Sequence, residues 1–175
     1  MQDMIPAWIN GRLQEVEKLE VHRRGLRHKA VSVFVICGDD ILLQKRALGK
    51  YHTPGLWANT CCTHPKWREA PDACALRRMQ EELGITGLAV LPVGQVEYRA
   101  ELGQGLIEHE VVEVFLAPAS FRPELRPDPA EVEDTCWTTL AELDAALLAT
   151  PQHFTPWLHI YLAEHRARIF GAVAN

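Results

Sequence analysis

The segment that most constrains this chain is residues 30–37, AVSVFVIC. It is rich in β-branched residues and apolar on both faces of a strand, so it reads as the central strand of a covered sheet. Gly38-Asp39-Asp40 supplies a turn, and residues 41–45 return as a second strand. From 49 to 67 no period is visible, and Pro54, Gly55, Asn59, Thr60 and Pro65 punctuate a long loop of the kind that usually carries function. Pro71 opens a helix that runs to Leu83 and stops at Gly84. Its apolar positions are Ala73, Leu76, Met79 and Leu83, with Arg78 and Glu82 four apart on another face. Residues 88–99 and 106–116 read as two strands joined by a glycine-containing turn, 101–105. Residues 118–129, with Pro118, Pro123, Pro127 and Pro129, read as a surface excursion. A short strand at 135–138 and a helix at 140–149 follow. Thr155-Pro156 caps a last helix with Leu158, Leu162 and Ile169 on its apolar face. This order predicts an α/β (α+β) fold, a mixed β-sheet flanked by helices.

A chain of 175 residues suits one domain, 1–175, with residues 1–29 as an N-terminal elaboration. Its 47% apolar and 23% charged residues match an ordinary soluble protein that buries a core without disulfides. A formal charge of −5 argues against general nucleic-acid binding, while an anionic small substrate remains compatible with a locally basic pocket. The longest apolar run is too short to cross a bilayer, and the N-terminus has no basic-then-apolar signal pattern. Cysteines 37, 61, 62, 74 and 136 are odd in number, and two are adjacent. They read as reduced thiols in a cytoplasm. The oligomeric state is open, and a monomer is compatible with everything here.

Three constellations carry chemistry. His22, His28 and His64 precede Glu108-His109-Glu110, and strand alternation puts Glu108 and Glu110 on one face. Two carboxylates so placed repel unless a cation or protons neutralise them. With imidazoles they make a mixed N/O donor set for a divalent ion. Taken singly, these histidines read more simply as surface or capping residues. Next, Glu69, Arg77, Glu81, Glu82, Gly84 and Ile85 match a Nudix-type pattern, Glu, seven residues, then R-x-φ-x-E-E-x-G-φ. Thr63 stands in place of its leading Gly, and Arg78 in place of the Glu that follows the Arg. That second change removes a carboxylate and installs a cation, favouring a diphosphate that is bound without being cleaved. Finally, Cys62 lies two residues from His64 in NTCCTHP, a setting that lowers a thiol's pKa.

The segments EKLEVHRRGLRHKAV, LLQKRALGKYHTPGLWANTCCTHP, RRMQEELGI, YRAELGQGLIEHEVVEVF and FTPW together resemble type 1 isopentenyl-diphosphate isomerases, in the family's order. The resemblance covers most of the chain from Glu17 onward, and NTCCTHP and the ExE strand are its most specific parts. It implies a Nudix-like sheet flanked by helices, to whose active site the N-terminal elaboration contributes. Cys62 resembles the catalytic thiol, in preference to Cys61, and Glu110 the catalytic glutamate that is also a metal ligand. His22, His28, His64, Glu108 and Glu110 match the family's metal site, for Mn²⁺, Mg²⁺ or Zn²⁺. Glu82 matches the carboxylate that helps hold a diphosphate-bound Mg²⁺. Lys18, Arg46, Lys50 and Arg78 match the cationic positions around the diphosphate. Tyr98 matches a tyrosine hydrogen-bonded near the catalytic glutamate, and Trp157 the aromatic that faces the reacting carbons.

The implied reaction interconverts isopentenyl and dimethylallyl diphosphate, in isoprenoid biosynthesis, by adding a proton at one carbon and removing one at another. Two alternatives stand beside it: a Nudix-type diphosphate hydrolase, and a metal-stabilised binding module in which the His/Glu set is structural. Product analysis with isopentenyl diphosphate and Mg²⁺ separates the three.

Overall fold

The computed structural model describes residues 3–171, so the first two and last four residues of the expected domain lie outside the described residues. Residues 30–37 lie in β3 (His28–Cys37), buried continuously from 30 to 36. One edge of β3 pairs in parallel with β8 (Leu106–Pro118), which in turn pairs antiparallel with β7 (Leu91–Gly103). Its other edge meets β6 (Cys61–Thr63) and, toward its end, β4 (Asp40–Arg46), both antiparallel. Around β4 stand β5 (Trp57–Asn59) and β9 (Val132–Thr139). An N-terminal hairpin, β1 (Met4–Ile9) and β2 (Arg12–Glu17), joins the sheet where Ala7 faces His28.

The sheet is mixed and covered on both faces. Ala30, Phe34 and Ile36 pack under α3 (Leu140–Ala149), α4 (Pro156–Glu164) and α5 (Arg166–Phe170). Val31, Val33 and Val35 pack under α2 (Pro71–Leu83). Alternation along β3 thus sends His28 and Ser32 toward the α4 side.

Several expectations change in detail. The long loop contains β5 and β6, three-residue strands too short to show a period. The N-terminal region forms β1, β2 and α1 (Lys18–Arg24). The β7–β8 turn is tighter than 101–105, because Gln104 and Gly105 adopt positive φ (52° and 75°) and join Gly103 directly to Leu106. The last helix breaks at His165 into α4 and α5. On α2, Ala73 and Leu76 are exposed, and the buried set is Cys74, Ala75, Met79, Glu82 and Leu83. The stripe is turned because Glu82 points inward, where Gln44 Nε2 of β4 donates to its Oε2 at 2.9 Å.

Candidate active site and metal centre

Four elements bring the His/Glu residues together. Glu17 caps α1 by accepting from the Leu19 and Glu20 amides, and Gly25 ends it at φ 58°. A Cβ on Gly25 would stand 3.1 Å from Ile107 of β8, so this left-handed stop is also where α1 approaches the ExE strand. His22 on α1 thereby meets His28 at the start of β3, Glu110 opposite it on β8, and His64 just past β6. His22 Nδ1 lies 2.7 Å from the Lys18 carbonyl, and His28 Nδ1 2.7 Å from that of Leu26. A carbonyl only accepts, so both rings carry their proton on Nδ1 and offer an Nε2 lone pair. Both Nε2 atoms, and Nδ1 of His64, are buried without a hydrogen-bond partner among the described residues. His64 Nε2 stands 3.1 Å, and His28 Nε2 3.5 Å, from Glu110 Oε1. Ligand atoms of His22, His28, His64 and Glu110 lie within 4.8 Å of one another, as do those of His22, His52 and Glu108.

The electrostatics suit a cation. Burial, with the neighbouring His28, holds His22 at about 4, and burial keeps His64 well below the ordinary imidazole range. These rings are therefore neutral near pH 7 and able to ligate. Burial and the adjacent Glu110 push Glu108 up. Burial also acts to raise Glu110, but His28 and His64 overcome it and hold that carboxyl down. Tyr98 joins the pair, its hydroxyl 3.0 Å from Glu108 Oε2 and 2.7 Å from Glu110 Oε2. The orphaned Nε2 atoms of His22 and His28, with His64 Nε2 beside two buried carboxylates, fit a divalent ion.

The two adjacent cysteines face opposite ways. Cys61 packs fully buried in the α2 core, while Cys62 looks toward the His/Glu face. Cys62 Sγ donates to Asn59 Oδ1 at 2.8 Å and lies 3.1 Å from Ser32 Oγ. Asn59 Nδ2 in turn donates to Ser32 Oγ and to the Val33 carbonyl, both at 2.9 Å. The expectation of a lowered thiol pKa is corrected here. Burial pushes Cys62 up, the Ser32 hydrogen bond opposes this, and Glu110 and Glu108 reinforce it. The thiol is thus held protonated. Trp157, on α4, is buried, and the Arg46 guanidinium lies 5.3 Å over its ring.

The cationic end is assembled around α2. Arg78 bonds Glu82 Oε1 at 2.7 Å, Glu81 at 2.9 Å and Glu131 at 3.1 Å. Glu131 also pairs with Lys50, and Lys18 with Asp3 at 3.2 Å. Burial lowers Lys50 to about 8, Glu82 opposing and Arg46, Lys18 and Arg78 assisting. Arg77 forks onto Glu69 at 2.6 and 2.8 Å. Part of the Nudix-type pattern is therefore an internal clasp. A small cleft of about 90 Å³, lined by Lys18, Arg78, Glu131 and His64 among others, links this end to the His/Glu centre.

Every residue singled out in the sequence falls in one of these groups. Reasoning from sequence missed His52, Ser32, Asn59, Gln44 and Glu131. The parity of Ser32 with His28 along β3 was a readable signal; the others depend on chain crossings with no local pattern.

Comparison with known proteins gives the class and the family. The family model described as NUDIX domain matches residues 26–158. A MutT Nudix hydrolase structure from Burkholderia pseudomallei superposes with a TM-score of 0.62 at 26% identity, covering 79% of this chain and 98% of that one. A Deinococcus radiodurans structure, 14% identical, superposes with a TM-score of 0.66 over 84% of this chain and 90% of its own, which bears on the fold alone. The class is thus a Nudix domain. Within it, an isopentenyl-diphosphate Delta-isomerase from Cereibacter sphaeroides is 61% identical over 98% of this chain and 97% of its own. One from Dinoroseobacter shibae is 60% identical over 100% and 99%. The chain belongs to the isopentenyl-diphosphate Delta-isomerase family.

Proposed function

We propose that this isomerase shifts the double bond between isopentenyl and dimethylallyl diphosphate, with Cys62 and Glu110 as its two proton-transfer groups. The observation that carries this reading is their placement. Both sit on the α4 side of the sheet, Cys62 with its S–H held by Asn59 and Glu110 gripped by Tyr98, His28 and His64. Moving a double bond by protonation and deprotonation needs an acid and a base at separate carbons, and the two groups come from separate strands. The intermediate is a tertiary carbocation. Trp157 offers it a buried aromatic face, worth about 1–2 kcal/mol once desolvated. That face already tolerates the Arg46 guanidinium. Burial of the site keeps out water that would quench the cation.

Lys18, Arg46, Lys50 and Arg78 bind the diphosphate and so position the hydrocarbon tail. Glu131 positions two of them by bridging Lys50 and Arg78. His22, His28, His64, Glu108 and Glu110 hold one divalent ion, Mn²⁺, Mg²⁺ or Zn²⁺, and Glu82 holds Mg²⁺ with the diphosphate. When bound, these ions supply positive charge that neutralises the paired carboxylates and the diphosphate oxygens. Residues 1–29 contribute Lys18, His22 and His28, which supports one domain with a functional N-terminal elaboration. Five free cysteines support a cytoplasmic setting, and the proposed reaction supports a place in isoprenoid biosynthesis. Among the described residues no helix is long and apolar enough to cross a membrane.

The test is product analysis of purified protein with isopentenyl diphosphate and Mg²⁺. Dimethylallyl diphosphate without phosphate release is the expected result. Faster phosphate release than isomer formation would instead make the chain a hydrolase. Neither product would leave a binding module.

A further inference from the structure

We propose that His52 is a further ligand of the divalent ion at the His/Glu centre, joining it on the side of His22 and Glu108, whose ligand atoms and its own lie within 4.8 Å of one another. The inference rests on the metal centre proposed above and extends it to a residue outside the expected set.

His52 lies on the segment between β4 and β5, and at 7% exposure it is buried while its neighbour Tyr51 is open at 38%. Its Nε2 stands 3.9 Å from Glu108 Oε1. That is too long for a hydrogen bond. It is an ordinary separation for two atoms on one ion, since ligands about 2.1 Å from a shared metal stand roughly 3–4 Å apart. His22 belongs to both close groupings, the one with His28, His64 and Glu110 and the one with His52 and Glu108. His22, whose Nε2 is unpartnered, is the residue the two groupings share. The His22 and His52 rings are stacked, 5.5 Å apart and 24° from parallel.

Thr53 Oγ1 lies 3.1 Å from His52 Nδ1 and can accept its proton, as the partners of ligating histidines do, while Nε2 faces Glu108. Arg46 Nη2 donates to the His52 carbonyl at 3.2 Å. Thr53 is a β-branched residue at φ 45°, a strained conformation that the surrounding contacts must enforce.

One feature of the centre makes sense with this ligand. Glu110 has two histidines against it, whereas Glu108 has the Tyr98 hydroxyl and, at 3.9 Å, His52. His52 thus gives Glu108 the companion that His28 and His64 give Glu110.

The experiment uses the full chain loaded with Co²⁺, whose unpaired electrons shift the proton resonances of bound imidazoles. Wild type, His52→Ala and His52→Gln are compared by proton NMR, by visible absorption and by chelator competition for the metal. Both variants are expected to lose one set of shifted imidazole resonances while keeping those of the other histidines. Their visible bands should move, and Co²⁺ affinity should fall by about tenfold or more in His52→Ala. Thermal unfolding of the metal-free proteins, expected to be alike, separates lost ligation from misfolding. Unchanged shifted resonances and unchanged affinity in both variants overturn the proposal. If wild type itself shows no shifted imidazoles, the centre on which it rests falls with it, a result distinct from the loss of His52 alone.

Discussion

The two ends of this site use the same residue classes and treat charge in opposite ways. At the diphosphate end, three of the four cations already have a carboxylate: Arg78 has Glu81, Glu82 and Glu131, Lys50 has Glu131, and Lys18 has Asp3. At the His/Glu end two buried carboxylates face neutral imidazoles, and three ring nitrogens have no hydrogen-bond partner among the described residues. The first end is self-neutralised and partly open, fit to exchange one anion for another as substrate comes and goes. The second buries two carboxyl groups side by side, so that Glu108 is pushed up by burial and by Glu110, a cost that a resident cation would relieve. The contrast explains why a diphosphate suits one and a retained metal the other.

The largest expected effect tests the buried end. Cys62→Ala and Glu110→Gln should each lower kcat by about 10²–10⁴-fold, the usual worth of a proton-transfer group. Cys61→Ala should leave kcat within a few-fold and lower the unfolding temperature instead, since Cys61 packs under α2. Equal losses of kcat at both cysteines would erase the distinction drawn from their opposite facing.

Next in size is retention of metal. His64→Ala should lose tightly bound metal on elemental analysis, whereas Glu82→Gln, at the exchangeable end, should keep it. The metal-free protein should also be acid-sensitive through His22. His22 is depressed from 6.5 unfolded to about 4 folded, so the unfolded chain binds the extra proton between those values. The share of stability owed to His22 is therefore complete above about pH 6.5 and falls as pH drops toward 4, by about 1.4 kcal/mol per pH unit. Glu108, pushed up, acts in the opposite sense. In a Glu108→Gln background, a denaturation midpoint that stays flat between pH 7 and pH 5 would contradict the buried, neutral state of His22.

At the α2 end the effects should be smaller and appear mainly in KM. Arg78→Glu should raise KM for isopentenyl diphosphate about tenfold or more, since a charge-assisted hydrogen bond is worth about 1.5–3 kcal/mol. Because it adds a carboxylate beside Glu81, Glu82 and Glu131, its unfolding midpoint must be measured alongside. Arg78→Lys should fall between, keeping charge but losing the fork. Isomerisation by Arg78→Glu as good as wild type at low substrate would remove Arg78 from the diphosphate. Smallest of all, Glu131→Gln should raise KM by a few-fold at nearly unchanged kcat, consistent with about 1 kcal/mol for a positioning contact. The same variant made in a Lys50→Met background should add little further. Full additivity of the two would show that Glu131 does not act through Lys50.

Much of this was legible because β3, β8 and α2 are long enough to display a period. The central strand follows from AVSVFVIC, the shared face of Glu108 and Glu110 from alternation, and the helix limits from Pro71 and Gly84. Short elements stayed hidden. β5 and β6 have no room for a pattern, yet β6 orients Cys62, and Asn59 at the end of β5 holds its thiol. The inward turn of Glu82 was illegible for a related reason: periodicity counts apolar residues, and a carboxylate paired with Gln44 breaks that count.

By itself the sequence determined the donors, the strands and helix that carry most of them, and, through resemblance, the reaction. Tertiary structure decided which side chains act together and in what ionisation state. Burial pushes the Cys62 thiol up where local sequence suggested the reverse, and chain crossings bring His52 and Glu131 to charges remote from them in sequence. The physical reason is common to these cases. Periodicity and capping are properties of neighbouring residues, whereas desolvation and Coulomb interactions depend on distance in space, which only the folded chain sets.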